Sequence, residues 1–114
     1  MSAITTHVLD TSRGWPAVGV AVVLERRAGG REWERVGKDE TDADGRARNL
    51  LPADTPLALG IYRMTFDTGR YFAAQSVKSL YPTVVIVFEV VGGESHYHVP
   101  LLLSPHGYTT YRGT

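Results

Sequence analysis

The sequence predicts a mainly β protein, an antiparallel β-sandwich of seven to eight short strands with one short helix. Apolar side chains alternate with a period of two along most of the chain, which is typical of half-buried strands. Clusters of Gly, Pro, Asp and Ser separate these runs at short intervals, as in sandwiches. A single stretch, residues 71–80, lacks the alternation and is predicted to be helical.

The first half of the chain contains three predicted strands and a turn. Residues 4–9 form a short β-favouring run, and residues 31–36 form a more exposed one. The turn is predicted at residues 41–45, because Asp side chains bond nearby backbone N–H groups and Gly45 adopts a positive φ without steric cost. Residues 18–24 place four apolar side chains on one strand face, namely Val18, Val20, Val22 and Leu24.

The middle of the chain combines a strand with the predicted helix. Residues 59–67 alternate cleanly and are predicted as a half-buried strand, with Tyr62, Met64 and Phe66 on one face. In residues 71–80 the apolar side chains suit one face of a short helix that ends before Pro82. The side chains assigned to that face are Ala73, Ala74, Val77 and Leu80.

The last third of the chain is predicted as three strands. Residues 83–91 are almost wholly apolar and β-branched, which indicates a central strand. Residues 96–103 form the next strand, in which Pro100 indicates an edge position or a bulge. Residues 108–112 close the chain as a short apolar strand, whose edge is suited to self-association.

Length and composition restrict the class of protein. The chain has 114 residues, which predicts a single domain spanning residues 1–114 that buries roughly 65% of its unfolded surface. Twelve Lys and Arg balance twelve Asp and Glu, so the charge predicts neither nucleic-acid nor membrane binding. The absence of cysteine excludes disulfides and thiolate metal sites. The lack of cysteine, together with the lack of a signal-peptide pattern at the N-terminus, favours a cytoplasmic location.

Histidines at two places are candidates for chemistry. His96 and His98 lie two residues apart, so a strand would project both imidazoles to one face. They could ligate a metal, with His7 as a third ligand, although no carboxylate stands at a convincing spacing. Alternatively, an imidazole acts as a general base, since its pKa lies near neutrality. Locally, a strand histidine such as His7 is more often simply structural.

Arg46 is a further candidate because it directly follows the predicted Asp-Gly turn. Its planar guanidinium could grip a carbonyl, a carboxylate or a flat heterocycle. Considered alone, an arginine at this place is more often a solvated surface residue. The chain has no cysteine nucleophile, no G-x-S-x-G elbow and no P-loop.

Together these segments resemble the 5-hydroxyisourate hydrolases, a transthyretin-related family. The resemblance covers nearly the whole chain, and its segments occur in the right order at the right distances. The matching segments are THVLD at residues 6–10, TDADGR at 41–46, residues 60–82, HYHVPLLLSP at 96–105, and GYTTYRGT at 107–114.

The resemblance implies a transthyretin-like fold and hydrolysis of 5-hydroxyisourate to 2-oxo-4-hydroxy-4-carboxy-5-ureidoimidazoline in urate degradation, without a metal or other cofactor. It implies that His7, Arg46 and His98 are catalytic. It further implies that the substrate is bound by four residues, His7, Arg46, Tyr111 and Thr114. It also implies a homotetramer with active sites at the dimer–dimer interface.

Some features depart from the family pattern or stay open. The family's terminal tetrapeptide usually ends in Ser, whereas this chain has Thr114, which keeps a hydroxyl but is stiffer at χ1. His106 replaces a residue that is commonly aromatic. The roles of His96 and His106, and which histidine accepts the proton, remain open. The alternative function is a transthyretin-like carrier of small aromatic ligands, although transthyretin itself lacks the His and Arg set.

Overall fold

The computed structural model describes residues 2–114, which form two β-sheets and one short helix. Three of the strands are two-residue segments, so seven longer strands remain, as predicted. The elements in chain order are β1 (Ile4–Asp10), β2 (Trp15–Pro16), β3 (Ala21–Arg27), β4 (Glu34–Glu40), β5 (Arg46–Ala47), β6 (Gly60–Phe66), α1 (Thr68–Ala73), β7 (Val84–Val90), β8 (Tyr97–His98), β9 (Leu101–Ser104) and β10 (Gly107–Thr110).

The two sheets differ in the direction of their strands. The four-stranded sheet has the order β4-β3-β6-β7 and is antiparallel throughout. The other sheet has the path β10-β9-β1-β2, with β5 and β8 also paired to β1. There β1 runs parallel to β8 and β9. The predicted antiparallel sandwich is therefore confirmed, and the parallel pairs that β1 makes with β8 and β9 are an addition to it.

Buried apolar side chains from both sheets form the core, and the alternation along β6 and β3 is as predicted. Tyr62, Met64 and Phe66 are at most 2% exposed. Val18 is the exception, because it lies before β3 and is exposed. The other core members include Ile4, Val8, Val20, Val22, Leu24, Leu50, Val84, Leu101 and Leu103.

The helix lies earlier in the chain than predicted, and its predicted apolar face is wrong. It spans Thr68–Ala73 and buries Thr68 and Phe72. The side chains expected on the buried face are instead exposed. Because β6 ends at Phe66, the chain turns into the helix at once, and Phe72 is its fully buried apolar side chain, with Tyr71 partly buried beside it. The exposed set is Ala73, Ala74, Val77 and Leu80.

Two further strand predictions are corrected. The apolar strand β7 lies at the edge of its sheet rather than at the centre, and Val85 and Val87 are exposed. The strand predicted at residues 96–103 is interrupted between β8 and β9 at Pro100, which lacks the N–H that a continuous ladder needs. Within residues 2–114, no helix is long and apolar enough to cross a membrane.

Candidate active site

Strand β1 is the scaffold of the site because it pairs with a different short strand on each side. Its residue His7 pairs with Arg46 of β5 in antiparallel register. Two residues earlier, Thr5 pairs with His98 of β8 in parallel register. Thr5 and His7 share one face of β1, so these pairings bring two imidazoles and a guanidinium to the same face of the sheet.

These side chains line an open cleft of about 630 Å³. All five residues predicted to be catalytic or substrate-binding belong to its wall: His7, Arg46, His98, Tyr111 and Thr114. Arg48 and His96 also line the cleft, whereas His106 does not; it lies exposed in the turn between β9 and β10. His106 therefore lies apart from the three histidines that line the cleft, which are His7, His96 and His98.

The turn before Arg46 is fixed by local hydrogen bonds. Asp42 Oδ1 accepts from the backbone N–H groups of Asp44 and Arg46, at 2.9 and 3.1 Å. The Arg46 N–H contact is the largest cause that lowers the pKa of the Asp42 carboxyl. Gly45 adopts φ +77°, and a Cβ there would lie 2.4 Å from the Val8 carbonyl oxygen. Only glycine therefore allows this turn to close onto β1.

His7 is oriented by the same turn. Its Nε2 lies 2.8 Å from the backbone carbonyl oxygen of Asp44. Since a carbonyl only accepts, Nε2 carries the hydrogen in this bond. In the neutral ring the hydrogen-bond acceptor is then Nδ1, the nitrogen left for a ligand in the cleft.

His98 is half-buried, and its ring is hydrogen-bonded to the neighbouring strand β1. Its Nδ1 lies 2.8 Å from the Thr5 hydroxyl oxygen. Burial is the largest cause that lowers the pKa of His98 below its ordinary 6.5, and the positive charge of Arg46 lowers it further. A contact with the backbone of Thr5 acts in the opposite direction. This direction favours the neutral form of His98, which is able to accept a proton.

The C-terminal residues pack against His98 at one side of the cleft. The backbone N–H of Gly113 donates to the carbonyl oxygen of His98 at 2.8 Å. A Cβ on Gly113 would lie 2.6 Å from Cδ2 of the His98 ring, so this close approach requires glycine. Tyr111 lies exposed at the cleft, and the Arg112 guanidinium stacks over the Tyr97 ring at 4.4 Å.

The predicted pairing of His96 and His98 on one face is present, with the two ring centroids 6.4 Å apart. The Thr5 hydroxyl lies between them, 3.0 Å from His96 Nε2. In the part of the chain that is described, no group of three His, Asp or Glu side chains is arranged to hold a metal ion. Hydrogen bonding through Thr5 is therefore the interaction that connects this pair.

Thr5, Gly113 and Arg48 were not predicted from the sequence to belong to the site. The alternation places Thr5 on the same strand face as His7. The hydrogen bond of its hydroxyl to His98 could not be predicted, because it depends on the pairing of β1 with β8. Gly113 was visible as part of the tail, yet its steric role depends on where that tail meets His98.

The fold and the cleft define a transthyretin-like β-sandwich with a cleft on one sheet that histidine and arginine side chains line. The chain belongs to the HIUase/Transthyretin family, whose sequence model matches residues 4–113. It is 47% identical to a 5-hydroxyisourate hydrolase of Caulobacter vibrioides over the full length of both chains. The mouse protein of the same name is 43% identical, covering 99% of this chain and 96% of that one.

Two solved structures show the same similarity. The 5-hydroxyisourate hydrolase of Klebsiella pneumoniae superimposes with a TM-score of 0.84 at 38% identity, covering 99% of this chain and all of that one. Sea bream transthyretin in complex with thyroxine superimposes with a TM-score of 0.90 at 31% identity, covering 99% and 96%. Overall fold alone thus does not separate hydrolase from carrier, and the cleft residues must do so.

Proposed function

We propose that this protein hydrolyses 5-hydroxyisourate to 2-oxo-4-hydroxy-4-carboxy-5-ureidoimidazoline, a step of urate degradation. The observation that carries the proposal is the convergence of His7, Arg46 and His98 at one cleft. The names of the similar bacterial and mouse proteins support it. These residues do not support the alternative function of a carrier, because binding an aromatic ligand requires no neutral imidazole base.

Arg46 binds the substrate in this mechanism. Among residues 2–114, no carboxylate forms an ion pair with its guanidinium, which leaves the planar donor group free for the substrate carbonyls. A guanidinium can offer two parallel N–H donors to such a group. Tyr111 and Thr114, at the same cleft, contact the substrate from the tail side.

His98 acts as the general base and His7 orients the water. The lowered pKa of His98 keeps its ring unprotonated at neutral pH, which a base requires. His7 offers Nδ1 to the water because its Nε2 is bonded to Asp44. General base catalysis contributes about 10²–10⁴-fold to such reactions.

The bond changes follow from this placement. Water loses a proton to His98 while its oxygen bonds to C6 of the substrate, and the C6 carbonyl oxygen becomes an oxyanion held by Arg46. The intermediate then collapses and breaks the N1–C6 bond, and the proton on His98 passes to N1. One water is consumed, and the ring opens to a carboxylic acid and a ureido group. The acid releases its remaining proton to solvent as it becomes a carboxylate, and both side chains return to their starting states.

Neither a metal nor an organic cofactor takes part in this scheme. The competing metal hypothesis, with His7, His96 and His98 as ligands, predicts that activity disappears after treatment with a chelator and dialysis. The proposed mechanism predicts the same turnover before and after that treatment. A loss of activity that added Zn²⁺ restores would contradict the cofactor-free scheme.

The function is tested by a coupled assay. Urate oxidase generates 5-hydroxyisourate, and the decay of its absorbance is followed with and without this protein. We expect a decay that accelerates in proportion to protein concentration, above the spontaneous rate. Decay at the spontaneous rate, with thyroxine or another aromatic ligand still bound by the protein, would instead support the carrier.

We further propose that the active form is a homotetramer with its clefts at the dimer–dimer interface. Two features support this assembly. The edge strand β7 leaves its outer backbone groups unpaired and exposes Val85 and Val87, a surface suited to pairing with a second copy. The cleft is also wide open in the single chain, with Tyr111 54% exposed, so a second subunit would complete its wall.

A further inference from the structure

His96 and His98 share a single hydroxyl group. The Thr5 oxygen lies 3.0 Å from Nε2 of His96 and 2.8 Å from Nδ1 of His98. Thr5 is only 5% exposed, so its hydroxyl forms its hydrogen bonds with these two imidazoles. A hydroxyl has one hydrogen to donate. It can therefore donate to at most one ring and must accept from the other.

When the buried hydroxyl uses its hydrogen on one of the two rings, two arrangements of the protons remain. In the first, His98 carries its hydrogen on Nδ1 and donates to Thr5, which donates to Nε2 of His96. In the second, every bond is reversed, and His98 carries its hydrogen on Nε2. Only the first leaves a lone pair on Nε2 of His98, and only that ring nitrogen remains to accept a proton from water.

The proposed function favours the first arrangement, because a general base needs the lone pair on Nε2 that only this arrangement leaves. Nδ1 is the ring nitrogen 2.8 Å from the Thr5 hydroxyl, so it is the one already hydrogen-bonded to β1. The Thr5 backbone also acts to raise the pKa of His98, which is the direction expected where a ring N–H faces a carbonyl oxygen.

We propose that Thr5 is a positioning residue that holds His98 in the tautomer with hydrogen on Nδ1, and that His96 completes the chain as the acceptor of the Thr5 hydroxyl. The tautomer is a property of the resting protein. Its effect on turnover rests on the function proposed above. His96 thereby gains a role without touching the substrate: it fixes which way the Thr5 hydroxyl points.

The tautomer is measured directly by ¹⁵N NMR of the imidazole nitrogens, with His98→Asn used to assign the signals. We expect neutral His98 to be protonated at Nδ1 in the unaltered protein and in Thr5→Ser. In Thr5→Val, which keeps the side-chain shape, we expect a shift toward the Nε2-protonated form. His96→Phe should shift it the same way, because the hydroxyl then turns to donate to His98.

Thr41→Val serves as the matched control for losing a buried hydroxyl. Thr41 is 3% exposed and donates to the Ala17 carbonyl at 2.7 Å, outside the cleft. We expect it to lower stability without changing the His98 signals. Nε2-protonated His98 in the unaltered protein, or unchanged signals in Thr5→Val, would overturn the proposal.

Kinetics supply the second readout. We expect Thr5→Val to lower kcat about 10- to 100-fold with little change in KM, the scale seen when a partner that orients a functional imidazole is removed. Thr5→Ser should recover most of the loss. If the unaltered protein shows no hydrolysis but the NMR result holds, the proposed function fails and the tautomer assignment stands. Full activity in Thr5→Val would contradict the role of Thr5.

Discussion

At the scale of single residues, the proposed mechanism depends on the different hydrogen-bond partners of two histidines. His7 is tied through Nε2 to a backbone carbonyl, whereas His98 is tied through Nδ1 to a hydroxyl. Each ring thus keeps one nitrogen for the cleft. Burial and the positive charge of Arg46 lower the pKa of His98, and this environment separates its proposed role from that of His7.

Replacing His98 by Asn tests its role as base. An Asn amide can retain a contact with the Thr5 hydroxyl, so the fold should survive. We expect kcat to fall at least about 100-fold, the lower range of general base catalysis. His106→Asn is the matched control, since His106 lies outside the cleft. Circular dichroism checks the fold, and full turnover in His98→Asn would exclude the assignment.

The direction of the His98 pKa shift predicts the pH profile. A base is active when unprotonated, so activity falls as the pH drops through the pKa of the folded protein. Because burial and Arg46 lower that pKa below 6.5, we expect the acidic limb of kcat/KM to have its midpoint below pH 6.5. An NMR titration of His98 should give the same midpoint. A midpoint above 6.5 would contradict the environment described for this ring.

At the scale of elements, the C-terminal segment acts as a wall packed against His98. Gly113 donates its N–H to the His98 carbonyl, and its missing side chain makes room for the imidazole. The tail therefore contributes more than Tyr111 and Thr114, the residues on which its predicted role rested. It also fixes where the ring lies.

Gly113→Ala tests this packing. The added methyl would lie 2.6 Å from Cδ2 of His98 and 3.2 Å from Cγ of Pro100, so the ring or the tail must move. We expect turnover to fall about 10- to 100-fold, as when a reacting group is displaced by about 1 Å, with a melting temperature near that of the unaltered protein. Gly107→Ala, whose methyl would lie 3.7 Å from Ser104 Oγ, should retain full activity.

What could be predicted from the sequence was the local part of this architecture. Alternation identified the buried face of β6 because apolar side chains at every second residue lie on the same face of a strand. The neighbours of β1 could not be predicted, since strand pairing joins residues about ninety positions apart, as Thr5 and His98 show. The catalytic assignments came from the family resemblance, and they remain predictions until measured. The helix was misplaced because its buried residues, Thr68 and Phe72, do not form an apolar repeat.

At the scale of the whole molecule, the edge of the four-stranded sheet explains a wrong prediction. The apolar composition of residues 83–91 indicated a central strand, yet β7 lies at an edge of the single chain. Pairing with a second copy would place β7 in the interior of a larger sheet. The proposed assembly would therefore account for side chains that one chain leaves exposed.

Val87→Glu tests the assembly. Val87 is 57% exposed on β7, and a charge on an edge strand opposes pairing. We expect sedimentation to show a tetramer for the unaltered protein and smaller species for the variant, with reduced activity because the cleft loses its opposite wall. Val77→Glu, on the exposed segment after α1, should remain tetrameric. A monomeric unaltered protein with full activity would contradict the proposed assembly.

The most direct test of the central claim is the initial rate of 5-hydroxyisourate loss, measured side by side for the unaltered protein, Arg46→Gln and His98→Asn. Spontaneous decay is subtracted from each. We expect strong acceleration by the unaltered protein and a loss of about 100-fold or more in each variant, since an oxyanion donor and a general base each contribute on that scale. Equal rates for all three proteins, or no acceleration by any, would contradict the central claim.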